Sequence, residues 1–137
     1  MSSSYHESMK AAGEDDVSTL RSLLDFGVSP NLIHPKRGHS ILQIASECNS
    51  LGTLELLLLK GADPDLKFTI ISVVDFRTIC KDATALMYAR SVESAELLLK
   101  YGASLKIRDA YGNSAVDWAK KNENVELYKY LCSAENS

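Results

Sequence analysis

The chain has little of what usually punctuates or staples a fold: seven Gly, three Pro, three Cys and a single Trp among 137 residues. Cys48, Cys80 and Cys132 are odd in number and widely spaced, which argues against a disulfide framework and for a reducing compartment, cytoplasmic or nuclear. The longest apolar run in a helical context, "LELLLL", falls far short of the roughly 18 residues that span a bilayer. The start carries neither a basic nor an apolar signal region, so neither a secretory leader nor a membrane partner is expected. A net charge of −3 excludes a strongly basic nucleic-acid binder. Gly-rich phosphate loops, a G-x-S-x-G elbow and an H-E-x-x-H helix are all missing. "DPD" at Asp63 to Asp65 lacks the other ligands of a calcium loop, and His34, His39 and Cys48 fit no common zinc spacing. No cofactor or metal is expected. What is there is the composition of one globular domain over residues 1–137, 45% hydrophobic and 24% charged, with "MSSS" and "SAENS" as short polar tails.

Self-similarity organises the rest. "LRSLLDFGVSPN", "LELLLLKGADPD", "AELLLKYGASLK" and "VELYKYLCSAEN" are four amphipathic helical runs, and Gly27, Gly61 and Gly102 end the first three where a left-handed residue is wanted. Upstream of the later copies stand "GHSILQIAS", "DATALMYAR" and "GNSAVDWAK", with Ser40, Thr84 and Ser114 placed as N-caps. Ala45, Ala89 and Ala119 are small enough for two helices to approach closely. The repeating unit is a short helix, a turn, a longer helix, a Gly turn and an extended loop.

These segments resemble the ankyrin repeat, and "GHSILQIASECNSLGTLELLLLKGADPD" follows its pattern from Gly38 to Asp65 without a gap. The resemblance covers nearly the whole chain. It implies an all-α solenoid of four helix-turn-helix units with projecting β-hairpin loops: an N-terminal cap at 5–37, then 38–81, 82–111, and a C-terminal cap at 112–135. Both ends read as finished, as in a complete small array. Three internal turns lack the family's Pro and His, with Ile41 and Gln43, Ala85 and Met87, Ala115 and Asp117 in their places, so looser coupling between units is expected. Tyr88 and Trp118 replace a core Leu and are expected to pack inside. The third unit is three residues short between Ala89 and Glu96, about one helical turn. Some ankyrin inhibitors of cyclin-dependent kinases likewise have one abbreviated inner helix.

The Gly spacing locates an insertion. Gly27 to Gly61 is 34 residues but Gly61 to Gly102 is 41, which a deletion of three and an insertion of about 11 explain against a period of about 33. The extra length lies in "KFTIISVVDFRTICKD", so the second loop is enlarged over residues 68–80. Ile70, Ile71, Val73, Val74, Phe76 and Ile79 favour strand, with the reversal at Ser72 or Asp75. A short helix from Ser72 to Cys80 is the alternative, since Val73, Phe76 and Cys80 would share its face. An apolar finger left in water invites aggregation, so it either folds back onto units two and three or meets a partner.

The reading is a non-catalytic protein-binding module acting as inhibitor, adaptor or assembly chaperone. Loop contacts are expected from His34, Lys36, Arg37, His39, Phe68, Ile70, Ile71, Val74, Phe76, Arg77, Lys106, Arg108 and Tyr111. The concave helices would offer Gln43, Glu47, Met87, Arg90, Asp117, Lys120 and Lys121. The loops at 31–40, 64–83 and 104–113 hold seven Lys/Arg against four Asp, a local +3, while the remainder carries −6. That asymmetry points to a protein partner with an acidic contact surface. A monomer is expected; a homodimer through the inserted loop is one alternative, and an enzyme or metal protein using His39 or Cys48 is the other.

Overall fold

The computed structural model describes residues 2–136. Among these, seven α-helices, one 3₁₀ helix and a two-stranded sheet follow one another in repeating order. Unit one is α1 (Ser2–Gly13) and α2 (Val17–Asp25), and unit two is α3 (Ile41–Glu47) and α4 (Leu51–Leu59). A hairpin of β1 (Phe68–Ile71) and β2 (Thr78–Ala83) follows. Unit three pairs the 3₁₀ helix Ala85–Tyr88 with α5 (Val92–Lys100), and unit four pairs α6 (Ala115–Lys121) with α7 (Val125–Glu135). The chain is thus a helix-turn-helix solenoid. Its inner row is α1, α3, the 3₁₀ helix and α6, and its outer row is α2, α4, α5 and α7. No helix among the described residues is long and apolar enough to cross a membrane.

Side-chain caps start most of the helices. Ser40 Oγ accepts from Gln43 N at 2.9 Å, Asp16 and Asn124 cap α2 and α7, and Ser114 forms a reciprocal capping box with Asp117. Thr84 occupies the expected cap position but makes no side-chain cap bond, because the 3₁₀ helix behind it offers a tighter, i+3 pattern. In units one, two and four, Asp15, Asn49 and Glu123 adopt positive φ in the turn between inner and outer helix. Unit three has no such turn: Ala89 is already extended and Ser91 opens α5. The missing three residues therefore shrink an inner helix to one turn. The polar ends are not tails, since α1 begins at Ser2 and α7 runs to Glu135; Met1 and Ser137 lie outside the described residues.

Leu20, Leu54, Leu57, Leu98 and Leu131 fill the space between the rows, while Ala12, Ala45, Ala95 and Ala119 allow close approach. Where the family's Pro and His are missing, short polar side chains link the units. Thr53 Oγ1 donates to Ala12 O at 2.8 Å, and Ser46 Oγ donates to Ala85 O at 2.9 Å. Asn31 Oδ1 accepts from Asp63 N at 2.7 Å, and one unit along Asp65 Oδ1 accepts from Ser104 N at 2.8 Å. "DPD" is thus a relay between loops.

The hairpin pairs antiparallel, Phe68 with Ala83, Ile70 with Cys80 and Ile71 with Thr78, with a bulge on each side of Ile70. It is strand, which overturns the helical alternative for Ser72 to Cys80. Both residues named for the reversal lie in the turn: Ser72 N donates to Arg77 O, and Asp75 Oδ1 accepts from Arg77 N. Gly38 seats the first loop against β1. Its φ is +85°, and a Cβ built there would stand 1.7 Å from Thr69 O. Gly38→Ala is expected to destabilise the protein by about 2–4 kcal/mol, read as a lower urea midpoint. An unchanged midpoint would show that loop and hairpin separate freely.

Candidate partner-binding face

Three loops join into one strip. The first closes on itself, His34 N donating to His39 O at 2.8 Å, with an isolated bridge between Ile33 and Ser40. His34 Nδ1 accepts from the N–H groups of Lys36 and Arg37, which shapes the tip that carries both cations. Ile71 N donates to Arg37 O at 3.1 Å, and Ala110 N donates to Lys81 O at 3.0 Å, so the hairpin is bonded on both flanks.

The base of the hairpin is sunk into the solenoid. Phe68, Ile70, Cys80 and Ala83 are buried, and a column of rings runs from Phe68 to Tyr88 (5.5 Å between centroids) to Trp118 (5.0 Å). Trp118 Nε1 donates to Asp109 Oδ2 at 2.9 Å, and Asp109 Oδ1 accepts from the N–H groups of Tyr111 and Asn113, each at 2.9 Å. Burial pushes the Tyr88 phenol far up, and its hydrogen bond with Cys80 adds to the effect.

Where the third inner helix is reduced to a turn, a cavity of about 340 Å³ opens among Glu47, Tyr88, Arg90, Trp118, Asn122 and Asn124. A second cavity, about 440 Å³, lies towards unit one among His6, His34, Arg37, His39 and Cys48, and Glu47 lines both. Glu47 Oε1 accepts from Gln43 Nε2, while Glu47 Oε2 lies 3.7 Å from Arg90 Nη2, a loose and largely exposed pair worth little on its own. Asn124 Nδ2 donates to Arg90 O at 3.0 Å and fixes the backbone beneath that arginine. The result is a shallow, mixed polar and apolar groove that can hold side chains of a large ligand.

The residues expected to face a partner divide sharply. Lys36, Arg37, Arg77, Lys106, Arg108 and Tyr111 on the loops are exposed, as are Ile71, Val74 and Phe76 on the hairpin and Arg90, Lys120 and Lys121 on the concave side. His34, His39, Glu47 and Asp117 are half-buried. Phe68, Ile70, Gln43 and Met87 are buried and cannot meet a partner directly. The hairpin's inward face takes the first two, and helix packing takes the others. Asp117 is occupied as a cap, accepting from Ser114 N at 2.9 Å, which with Arg108 at 3.4 Å holds its carboxyl below the usual range. Tyr88 and Trp118 pack on the core as expected but also wall the cavity. Asp109, Asn122 and Asn124 were missed; an Asp two residues before Tyr111 and four before Asn113 is the turn signal that would have found the first.

Two of the thiols are held in their protonated form. Burial and then the Glu47 carboxylate push Cys48 up, and burial pushes Cys80 up. Among the described residues no three His, Cys, Asp or Glu side chains converge as a metal site.

Comparison with known proteins adds an independent line. The family described as Ankyrin repeat matches residues 37–67. Cyclin-dependent kinase 4 inhibitor B of Rattus norvegicus is 30% identical over 124 residues, 90% of this chain and 88% of that protein. The Bos taurus protein of the same name is 30% identical over 121 residues, 88% and 86% of the two chains. Cyclin-dependent kinase inhibitor 2A of Homo sapiens is 29% identical over 124 residues, 90% of this chain and 74% of its own.

His39 is expected to make folding stability depend on pH. Its Nδ1 is buried without a partner, and burial, with His34 and Arg37 adding and Glu47 opposing, holds it below the ordinary 6.5. The folded state keeps this ring neutral while the unfolded chain takes up the proton first. Its contribution is therefore complete above 6.5 and is lost as pH falls below it. Urea midpoints should drop from about pH 7.5 to about pH 5, and His39→Gln should flatten that part of the profile. An identical profile in the variant would assign the loss to other groups.

Proposed function

The chain belongs to the ankyrin repeat family, and on that premise we propose that it is a non-catalytic inhibitor that binds a protein kinase of the cyclin-dependent kinase 4 type. The observation that supports this reading is the extent of the match: about nine-tenths of the chain aligns with relatives named as inhibitors of that kinase, over 88% of the rat protein. The aligned stretch extends well beyond the single repeat that the family model matches.

The geometry agrees with inhibition by occupancy. The basic loop strip and the two cavities that meet at Glu47 lie together, and exposed Arg90, Lys36, Arg37 and Lys106 favour an acidic contact surface. The four units divide at 5–37, 38–81, 82–111 and 112–135, with the second loop enlarged by about 11 residues over the period of the repeat. We assign the protein to the cytoplasm or nucleus, where such a kinase is met, and to the monomeric state. Adaptor and chaperone roles are set below inhibition because the relatives are named as inhibitors.

Recombinant protein titrated into a purified cyclin-dependent kinase 4–cyclin complex is expected to bind and to suppress phosphorylation stoichiometrically. Arg90→Glu, at an exposed position, should weaken binding about tenfold without a change in unfolding midpoint. No binding by the unmodified protein would sink the reading.

A further inference from the structure

We propose that the turn of the β1–β2 hairpin is a preformed apolar knob that seats in a cleft of the bound protein, a cleft apolar within and acidic at its rim. This rests on the kinase-binding reading above and adds to it a chain-specific anchor.

The hairpin solves its burial problem only at the base. There Phe68, Ile70, Cys80 and Ala83 fold home; at the tip Val73, Val74, Phe76 and Ile79 are 56, 86, 82 and 60% exposed. Three large apolar side chains in the turn, with Ile79 at the start of β2, form a patch of the kind that marks an interaction site. The turn is also held in shape. Ser72 N donates to Arg77 O at 2.8 Å, Phe76 N to Ser72 O at 3.1 Å, Val74 N to Ser72 Oγ at 3.3 Å and Arg77 N to Asp75 Oδ1 at 3.2 Å. Phe76 sits at φ +59°, a conformation unfavourable for a bulky residue and one that glycine would adopt freely. A solvent-facing phenylalanine held there does little for the core. Its orientation makes sense as an anchor whose ordering cost has been met before binding.

Two observations select a protein partner over a second copy. Strand addition needs a free edge, yet β1 is engaged by Arg37 O and β2 by Ala110 N. Lys67, Arg77 and Lys81 are exposed and take part in none of the three ion pairs among the described residues. The Ile71–Arg37 bond sets the β1 side of the hairpin beside the first loop, which carries Lys36 and Arg37. The three loops together carry seven Lys/Arg against four Asp, so two copies meeting there would repel, whereas an acidic rim around an apolar cleft complements both features.

The test uses the full chain and the same kinase–cyclin complex. Val74→Ser with Phe76→Ser should leave the unfolding midpoint within error and weaken binding about 30-fold, mainly through faster dissociation. Phe76→Gly keeps the turn, relieves the positive φ and removes the whole side chain; it should lose about tenfold in affinity with stability kept or raised. Arg77→Glu should slow association and reduce its salt dependence. Wild-type affinity in the double variant, alongside weakened binding by Arg90→Glu, would overturn the knob while leaving the inhibitory reading intact. Failure of the unmodified protein to bind would overturn both. A dimer in light scattering that the double variant dissolves would make a second copy the occupant and overturn the choice of partner.

Discussion

Everything distinctive about this molecule depends on the column of rings from Phe68 through Tyr88 to Trp118. One ring comes from the hairpin, one from the 3₁₀ helix and one from α6, so a single packed line crosses three of the four units. Asp109 pins its far end by taking the indole N–H while its other oxygen shapes the third loop. In a solenoid each unit is held chiefly by its neighbours, so such a line couples elements that would otherwise move separately. It also explains how a finger of largely apolar sequence is tolerated, since half of it is roofed by its own solenoid.

The shortened third unit is the second half of the same arrangement. Losing three residues leaves one turn of 3₁₀ helix where a full inner helix would stand. Tyr88 and Trp118 turn from ordinary core residues into the wall of a cavity, and Arg90 is left outside any helix between Glu47 and Asn124. The long hairpin and the short helix thus meet at Tyr88, one packing on it and the other exposing it. Short Ser, Thr, Asn and Asp side chains provide the coupling between units. Each such bond is directional and reaches only one neighbour, which suits an array built by stacking.

Much of this was legible in the residues. Ser40 and Ser114 cap as their positions suggest, though Thr84 does not, the repeated Gly residues stop, and apolar spacing of 3.6 marks the helices, because those signals act within a few positions of chain. The second loop's strand character followed from its β-branched residues. Harder to see was the inter-unit hydrogen bonding, since Asn31 and Asp65 look like ordinary turn residues until the next loop is set beside them. The candidate face was legible by class: the loop cations are exposed as expected, whereas Gln43, Met87, Phe68 and Ile70 are buried.

By itself the sequence determined the order of the helix pairs, the turn where each helix stops, the short inner helix of unit three and the strand character of the second loop. All are matters of spacing and local backbone preference. Only the tertiary structure decided which half of the finger is core and which half meets solvent. Phe68 and Val74 are alike in polarity, and two bulges break the simple alternation that would have sorted them. The sorting is done by Tyr88 and by Gly38, the latter some 30 residues away along the chain, which offer a ring and a bare backbone to the base of the hairpin and nothing to its tip.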